Sequence, residues 1–350
     1  MKKIFTYLSI LIAVVMLLPI NLHAGNDQRV GTAGAQELLI NPWARSSGFG
    51  SANSASIQGL EASFLNIAGI AFTNKTEMIF SRTNWLVGSE IYVNAFGFSQ
   101  TVGEDAVMAL TFMSMDFGDI EITTEDLPEG GIGTYSPQYM NIGLGYSRKF
   151  TENIYGGLNL KLVSESIPNL NATGFALDAG IQYVTGEQKN IRFGIALKNV
   201  GPPMQFRGDG LTIRLPVVTG NYNQAVQQGS QKFELPSLLN IGASYDFVKP
   251  SHTFTIAANF TSNSFSKDQM SLGFQYKFKS YLMVRSGYTY ENGIFNELGD
   301  GRTTAFTGPS AGITLEAPFG SKSSSFGFDY SFRATNPFGG VHSIGARINL

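Results

Sequence analysis

The grouping in this chain that comes nearest to a catalytic motif is Gly308-Pro309-Ser310-Ala311-Gly312. It has the G-x-S-x-G spacing of a nucleophile elbow. The chemistry would be acyl transfer, in which a serine attacks, a histidine takes its proton and a third group orients the ring. An elbow needs a strand, a sharp turn and then a helix; here an alternating, strand-like pattern follows. Beyond His23, the chain offers only His252 and His342, and no third residue completes a Ser310–His342 pair. No catalytic residue is assigned, and the chain does not read as an enzyme. It has no cysteine and no metal-ligand spacing, so no metal site is assigned. Asp116, Asp119, Glu121, Glu125, Asp126 and Glu129 form an acidic stretch. It reads as a solvated loop, with a weak cation site as the alternative. Gly130-Gly131-Ile132-Gly133 is too short for a dinucleotide fingerprint, and no cofactor is implied. Asn171-Ala172-Thr173 matches a glycosylation sequon without further context. A net charge of -2 gives nucleic acid nothing to bind.

With soluble chemistry set aside, the composition points to a different solvent. Charged residues make up 14% of the 350 residues, against about 25% in soluble domains. There are 40 glycines, 27 phenylalanines and 14 tyrosines. Residues 1–24 read as a signal peptide: Lys2-Lys3, an apolar stretch from Ile4 to Ile20, then Asn21-Leu22-His23-Ala24 before Gly25. A single membrane anchor is the alternative reading. No later apolar run approaches the roughly twenty residues a membrane helix needs. An exported, aromatic, charge-poor chain without spanning helices is expected to be an all-β transmembrane antiparallel barrel in the outer membrane, with lipid around it.

The strand pattern starts at Lys75, and about fourteen segments alternate, giving a barrel over 75–350. They fall near 75–86, 89–101, 105–116, 135–149, 153–165, 172–185, 190–200, 237–247, 251–262, 268–278, 280–291, 304–316, 323–333 and 340–350. In Leu238 to Phe247 every odd position from Leu239 is apolar and every even position from Asn240 is polar or tiny, the period of a strand with one wet face. The intervening segments sort by length. Long ones, near 117–134, 201–236 and 292–303, alternate with short ones, which is the loop asymmetry of outer-membrane barrels. With short turns periplasmic, both termini are periplasmic. Leu211 to Val218 is strand-like but is assigned to the long loop, because it contains Pro216 and lacks a partner.

The face expected to point inward mixes charges of both signs, among them Lys161, Asp178, Arg192, Lys198, Asp246, Arg285, Asp329 and Arg347. That argues against a strongly ion-selective pore. It also carries glycines in most strands, including Gly180, Gly194, Gly242, Gly273 and Gly287. Two readings stay open: a tight or plugged lumen, or relief of curvature in a closed barrel. The non-alternating segment 25–74 likewise reads either as a hatch inside the barrel or as a periplasmic arm beneath it. A short helix is expected over Ser54 to Asn66. An apolar pocket between hatch and wall would be lined by Phe64, Leu65 and Ile67. In the long loop 201–236, Pro202, Pro203, Met204, Phe206 and Phe233 offer an apolar surface that would cap the mouth or bind a partner.

Ala196-Leu197-Lys198-Asn199-Val200-Gly201-Pro202-Pro203-Met204-Gln205-Phe206 and Leu235-Pro236-Ser237-Leu238-Leu239-Asn240-Ile241-Gly242-Ala243-Ser244-Tyr245 resemble the PorV/PorQ family of FadL-like outer-membrane barrels. Gly34-Ala35-Gln36-Glu37-Leu38-Leu39-Ile40, Ala44-Arg45, Gly48-Phe49-Gly50 and Asn66-Ile67-Ala68-Gly69 agree, although the family usually has proline where Ile67 stands. The resemblance implies about fourteen strands and an N-terminal hatch. It also implies a role in type IX secretion, with translocon components or secreted proteins as partners. The expectation is therefore a non-enzymatic barrel serving as a secretion accessory. The alternative is a FadL-like passive channel for a small hydrophobic ligand.

Overall fold

Fourteen alternating segments pair edge to edge in a computed structural model that describes residues 29–216, 222–297, 300–320 and 324–350. The signal segment 1–24 lies outside the described residues. The wall strands are β1 (Thr76–Trp85), β2 (Ile91–Val102) and β3 (Ala106–Asp116), then, after a small hairpin of β4 (Ile120–Glu121) and β5 (Thr134–Tyr135), β6 (Gln138–Lys149), β7 (Ile154–Ile167), β8 (Leu170–Thr185) and β9 (Ile191–Val200). A second small hairpin follows, β10 (Thr212–Pro216) with β11 (Asn223–Gln227). The wall resumes with β12 (Leu238–Lys249), β13 (His252–Asn263), β14 (Gln269–Phe278), β15 (Leu282–Glu291), β16 (Phe306–Pro318), β17 (Ser325–Thr335) and β18 (Val341–Asn349). Each pairs antiparallel with its neighbours, and β1 pairs with β18, Phe80 opposite Ala346, to close the barrel. Closure is what a sheet in hydrocarbon requires, because an open edge would leave peptide groups unpaired.

The sequence alternation maps onto the two sides of this wall. Along β12, Ile241, Ala243, Tyr245 and Phe247 face out and are exposed, while Asn240, Gly242, Ser244 and Asp246 are buried inside. Phe175, Leu177 and Ile181 in β8 and Leu272, Phe274 and Tyr276 in β14 do the same. The result is a continuous apolar exterior, the mark of a membrane-spanning barrel. Aromatic rings ride at the strand ends. His252 bonds Tyr276 through Nδ1 at 2.7 Å at the short-turn end, and His342 bonds Tyr330 at 2.8 Å at the long-loop end.

Both small hairpins stand at the long-loop end. β10 and β11 correct the reading of Leu211 to Val218 as plain loop: its first part finds a partner within the loop itself. Pro216 pairs opposite Asn223 at the last position of the hairpin, and a two-stranded ribbon of edge strands tolerates the missing N–H there. The helix expected over Ser54 to Asn66 is reduced to Ala62–Leu65. The reason is local. Gly59 takes a φ of +77°, and Leu60 N donates to Glu77 Oε2 at 2.7 Å, so the chain is tied to β1 where a helix would continue.

Arg29 and Gly34 contact Glu234 of the long loop, while residues 38–74 pack against inward-facing residues of the wall. They are held from around the whole wall, by Ser147 Oγ to Ala68 O at 3.0 Å, Gln182 Nε2 to Ile57 O at 3.0 Å, Asn240 Nδ2 to Leu65 O at 3.3 Å and Thr289 Oγ1 to Gly50 O at 3.0 Å. Apolar residues of the segment (Leu38, Trp43, Leu60, Leu65, Ile70) form one buried cluster with Ile79, Val93, Val107 and Val163 of the strands.

Candidate functional site

The inward glycines show how closely the N-terminal segment is fitted. A Cβ at Gly194 would lie 2.8 Å from Ala55 Cα, one at Gly273 2.9 Å from Phe49 O, and one at Gly287 2.5 Å from Phe49 C. One at Gly180 would lie 2.2 Å from Asn66 Oδ1. The approaches at Gly194, Gly273 and Gly287 leave no room for a side chain, so these three serve contact with another backbone and not curvature alone, whereas Gly180 faces the side chains of Asn66 and Ile67. Contact with residues 29–74 accounts for these glycines, whatever curvature they also relieve. Gly143 and Gly157 differ, since their nearest atoms belong to neighbouring strands.

The fit is incomplete at the long-loop end. There a cavity of about 490 Å³ separates the segment from β12–β17. Leu39, Ile40, Phe64 and Leu65 line it from the segment; Trp85, Leu238, Phe265 and Phe306 line it from the wall and loops. Polar side chains share the lining, Gln36, Asn41, Asn240, Asn263 and Ser271 among them, and several are held in place. Lys198 Nζ sits 3.7 Å from the Phe64 ring centroid, and the Arg333 guanidinium 3.8 Å from that of Phe306. Glu291 accepts from Gln269 Nε2 and Thr303 Oγ1, both at 2.8 Å. Cations stacked on aromatic faces present an apolar flank and keep a charge in reach. A concave site of this size, with aromatic and aliphatic walls and polar groups fixed between them, suits a small organic molecule.

The residues singled out from the sequence divide. Phe64 and Leu65 line this cavity. Ile67 does not, which corrects the expected trio. The backbone turns at Asn66, whose side chain caps Ala68 N at 3.2 Å, and so carries Ile67 to the other flank, against Gly145 and Gly180. In the long loop, Pro202 and Pro203 are exposed. Met204 is buried over Gly174, and Phe233 packs on Gly34 and, at 5.6 Å between ring centroids, on Phe206. Met204 and Phe233 also exchange backbone hydrogen bonds at 2.9 Å. The three apolar side chains are therefore spent inside the molecule and do not form a free docking surface. Ser310 is buried on the inner face of β16, whereas His342 faces outward on β18 with Tyr330 and Phe332. The wall stands between them, and they make no catalytic pair. Among the described residues no cluster of acidic or histidine side chains has the grouping to hold a metal ion.

Sequence reasoning missed Phe265, Phe306 and the pairing of Lys198 with Phe64. Lys198 was legible as an inward charge, but its partner lies on a segment with no periodicity. Phe306 starts the least regular strand, where the register against β17 shifts between Phe306 and Ser310.

Comparison with solved structures gives the class of fold. The chain is similar to a structure described as the CymD monoaromatic hydrocarbon channel, with a TM-score of 0.56 and 14% identity over 89% of this chain and 97% of that one. The Pseudomonas putida toluene transporter TodX gives 0.56 and 14% over 88% and 97%. A Pseudomonas aeruginosa FadL homologue gives 0.50 and 12% over 88% and 96%. No family model matches the chain, and no curated protein does either. The fold is that of the FadL-like fourteen-stranded barrels. The expected role as a type IX secretion accessory, with translocon or secreted-protein partners, is overturned. CymD and TodX, which share this fold, are described as a monoaromatic hydrocarbon channel and a toluene transporter. Of the loop residues on which partner binding rested, Met204 is buried and Phe206 and Phe233 pack on one another.

Proposed function

We propose that the protein is a non-enzymatic, passive outer-membrane channel for small hydrophobic molecules, entered from the long-loop end. The cavity between Phe64, Leu65, Phe265 and Phe306 carries this reading. It lies on the lumenal path, its walls are aromatic and aliphatic, and its volume accommodates a one-ring hydrocarbon. The FadL-like fold supports the same reading, since CymD and TodX are described as monoaromatic hydrocarbon and toluene transporters. Residues 29–74, preceded by the signal peptide, act in this reading as a hatch within a lipid-surrounded barrel. The hatch begins at the long-loop end, where Arg29 pairs with Glu234 at 2.9 Å. This corrects the expectation that both termini are periplasmic and leaves only the C-terminus, whose Leu350 N donates to Thr76 O, at the short-turn end.

The test is uptake of radiolabelled toluene by cells that express the protein, compared with an empty outer membrane and with Phe64→Glu. Faster uptake with the native chain, lost in the variant while the barrel still migrates as a folded species on unheated gels, is the expected result. Equal uptake in all three would dismiss the proposal.

A further inference from the structure

The lumen holds a second cavity, of about 310 Å³, at the opposite, short-turn end. Its character is reversed. Arg45 of the N-terminal segment and Arg192, Lys277 and Arg285 of the wall line it, with Asp246 as its one carboxylate. The acidic side chains around it are mostly engaged, although Asp329 Oδ2 has no hydrogen-bond partner. Asp246 takes Arg192 Nη1 at 2.8 Å on one oxygen and Thr255 Oγ1 at 2.6 Å on the other. Glu61 lies 3.7 Å from Arg45 Nε and accepts from Ser46 N at 3.2 Å. Glu316 pairs with Arg347 at 3.1 Å, and Asp329 accepts from Thr314.

What remains is positive. Arg285 is 4% exposed, yet its guanidinium meets only neutral acceptors: Gln275 Oε1 at 2.7 Å, Thr314 Oγ1 at 2.8 Å and Met283 Sδ at 3.3 Å. Arg192 Nε is buried with no acceptor. Among the described residues neither Arg285 nor Lys277 has a carboxylate within ion-pair distance. A buried cation with no carboxylate in direct contact is incompletely compensated, and an anion entering this cavity would supply that contact.

We infer that the short-turn end of the lumen is an anion-binding site, with Lys277, Arg285 and Arg192 as donors to a small oxyanion, a carboxylate or a phosphate. Planar guanidinium groups and a mobile ammonium together suit several oxygens at once. The inference concerns a different cavity from the proposed channel entrance and stands without it. Because Arg45 belongs to the N-terminal segment, an anion here would compete with Glu61 for that side chain, so occupancy at this end bears directly on how the segment is held.

Calorimetry on the full-length protein in a nonionic detergent tests the site, with benzoate, inorganic phosphate and toluene as separate probes. Binding of at least one anion is expected, about tenfold weaker in Lys277→Gln and in Arg285→Gln and restored in Lys277→Arg, while toluene binding stays as in the native chain. Benzoate without phosphate would identify a carboxylated organic guest; phosphate, with or without benzoate, would identify a free oxyanion site. Absence of anion binding in the native protein, or equal affinity in correctly folded Lys277→Gln, overturns the inference. Loss of toluene binding with anion binding intact would count against the channel entrance and leave this site standing.

Discussion

A single absent side chain decides much of this interior. Gly287 faces the peptide of Phe49, and a Cβ there would come within 2.5 Å of its carbonyl carbon and oxygen. Gly287→Val is expected to destabilise by about 1–3 kcal/mol or more through overpacking, read as a lower temperature of the folded-to-unfolded gel mobility shift. Gly345→Ala is the control, since its nearest neighbour would be an ordinary 3.5 Å away. Glu61 offers a second test. Burial pushes its carboxyl up to about 7, against the pull of Arg45. A folded-state value above the unfolded one of 4.5 means that the folded chain holds the proton more tightly. Its contribution is then full below pH 4.5 and is lost as pH rises through about 7. Glu61→Gln should flatten the fall in unfolding temperature across that window, as followed by circular dichroism.

Strands in this molecule do two jobs at once, and period two is what separates them. Leu272 and Phe274 of β14 face lipid while Ser271 and Gly273 face the lumen. Leu272→Arg is expected to cost roughly 2–4 kcal/mol near the midplane, measured by reversible unfolding from liposomes, whereas Ser271→Ala should cost only about 1 kcal/mol, through loss of the hydrogen bond with Thr289 Oγ1. The strands were legible because each has to satisfy lipid on one face along its whole length, and all fourteen segments expected from the sequence form the wall. The segment 29–74 and the loop 201–236 carry no such constraint. Their side chains find partners far along the chain, as Met204 does over Gly174 and Asn66 at Ile181 O, and no local period announces that. The same holds for the candidate site: Phe64 and Leu65 stand out in the sequence as apolar residues on a stretch rich in small side chains, but Phe265 and Phe306 become their neighbours only through barrel closure.

At the scale of the whole molecule, the two lumenal cavities lie on either side of the backbone at Phe49 to Ser51, with Gly50 and Ser51 lining the upper and Phe49 the lower. Passage through the lumen therefore requires the N-terminal segment to shift. The chain contains no cysteine, so a lock is readily built. Ser54 and Asn259 join segment to wall by a direct side-chain hydrogen bond, with both side chains buried. Ser54→Cys with Asn259→Cys, once oxidised, is expected to abolish hydrocarbon uptake, and reduction to restore it. Undiminished uptake through the oxidised form would mean that the route bypasses the lumen.

The sequence by itself determined the barrel: strand number, the order of long loops and short turns, and which face meets lipid. Each of these follows from local alternation imposed by a bilayer that admits no unpaired peptide group and no buried charge on its side. Only the tertiary structure decided what fills the barrel and where the filling stops. Whether an inward glycine relieves curvature or receives another backbone depends on atoms more than a hundred residues away, as Gly194 and Ala55 show. The same long-range packing left an aromatic-walled cavity at one end and a cationic one at the other, which no periodicity along the chain records.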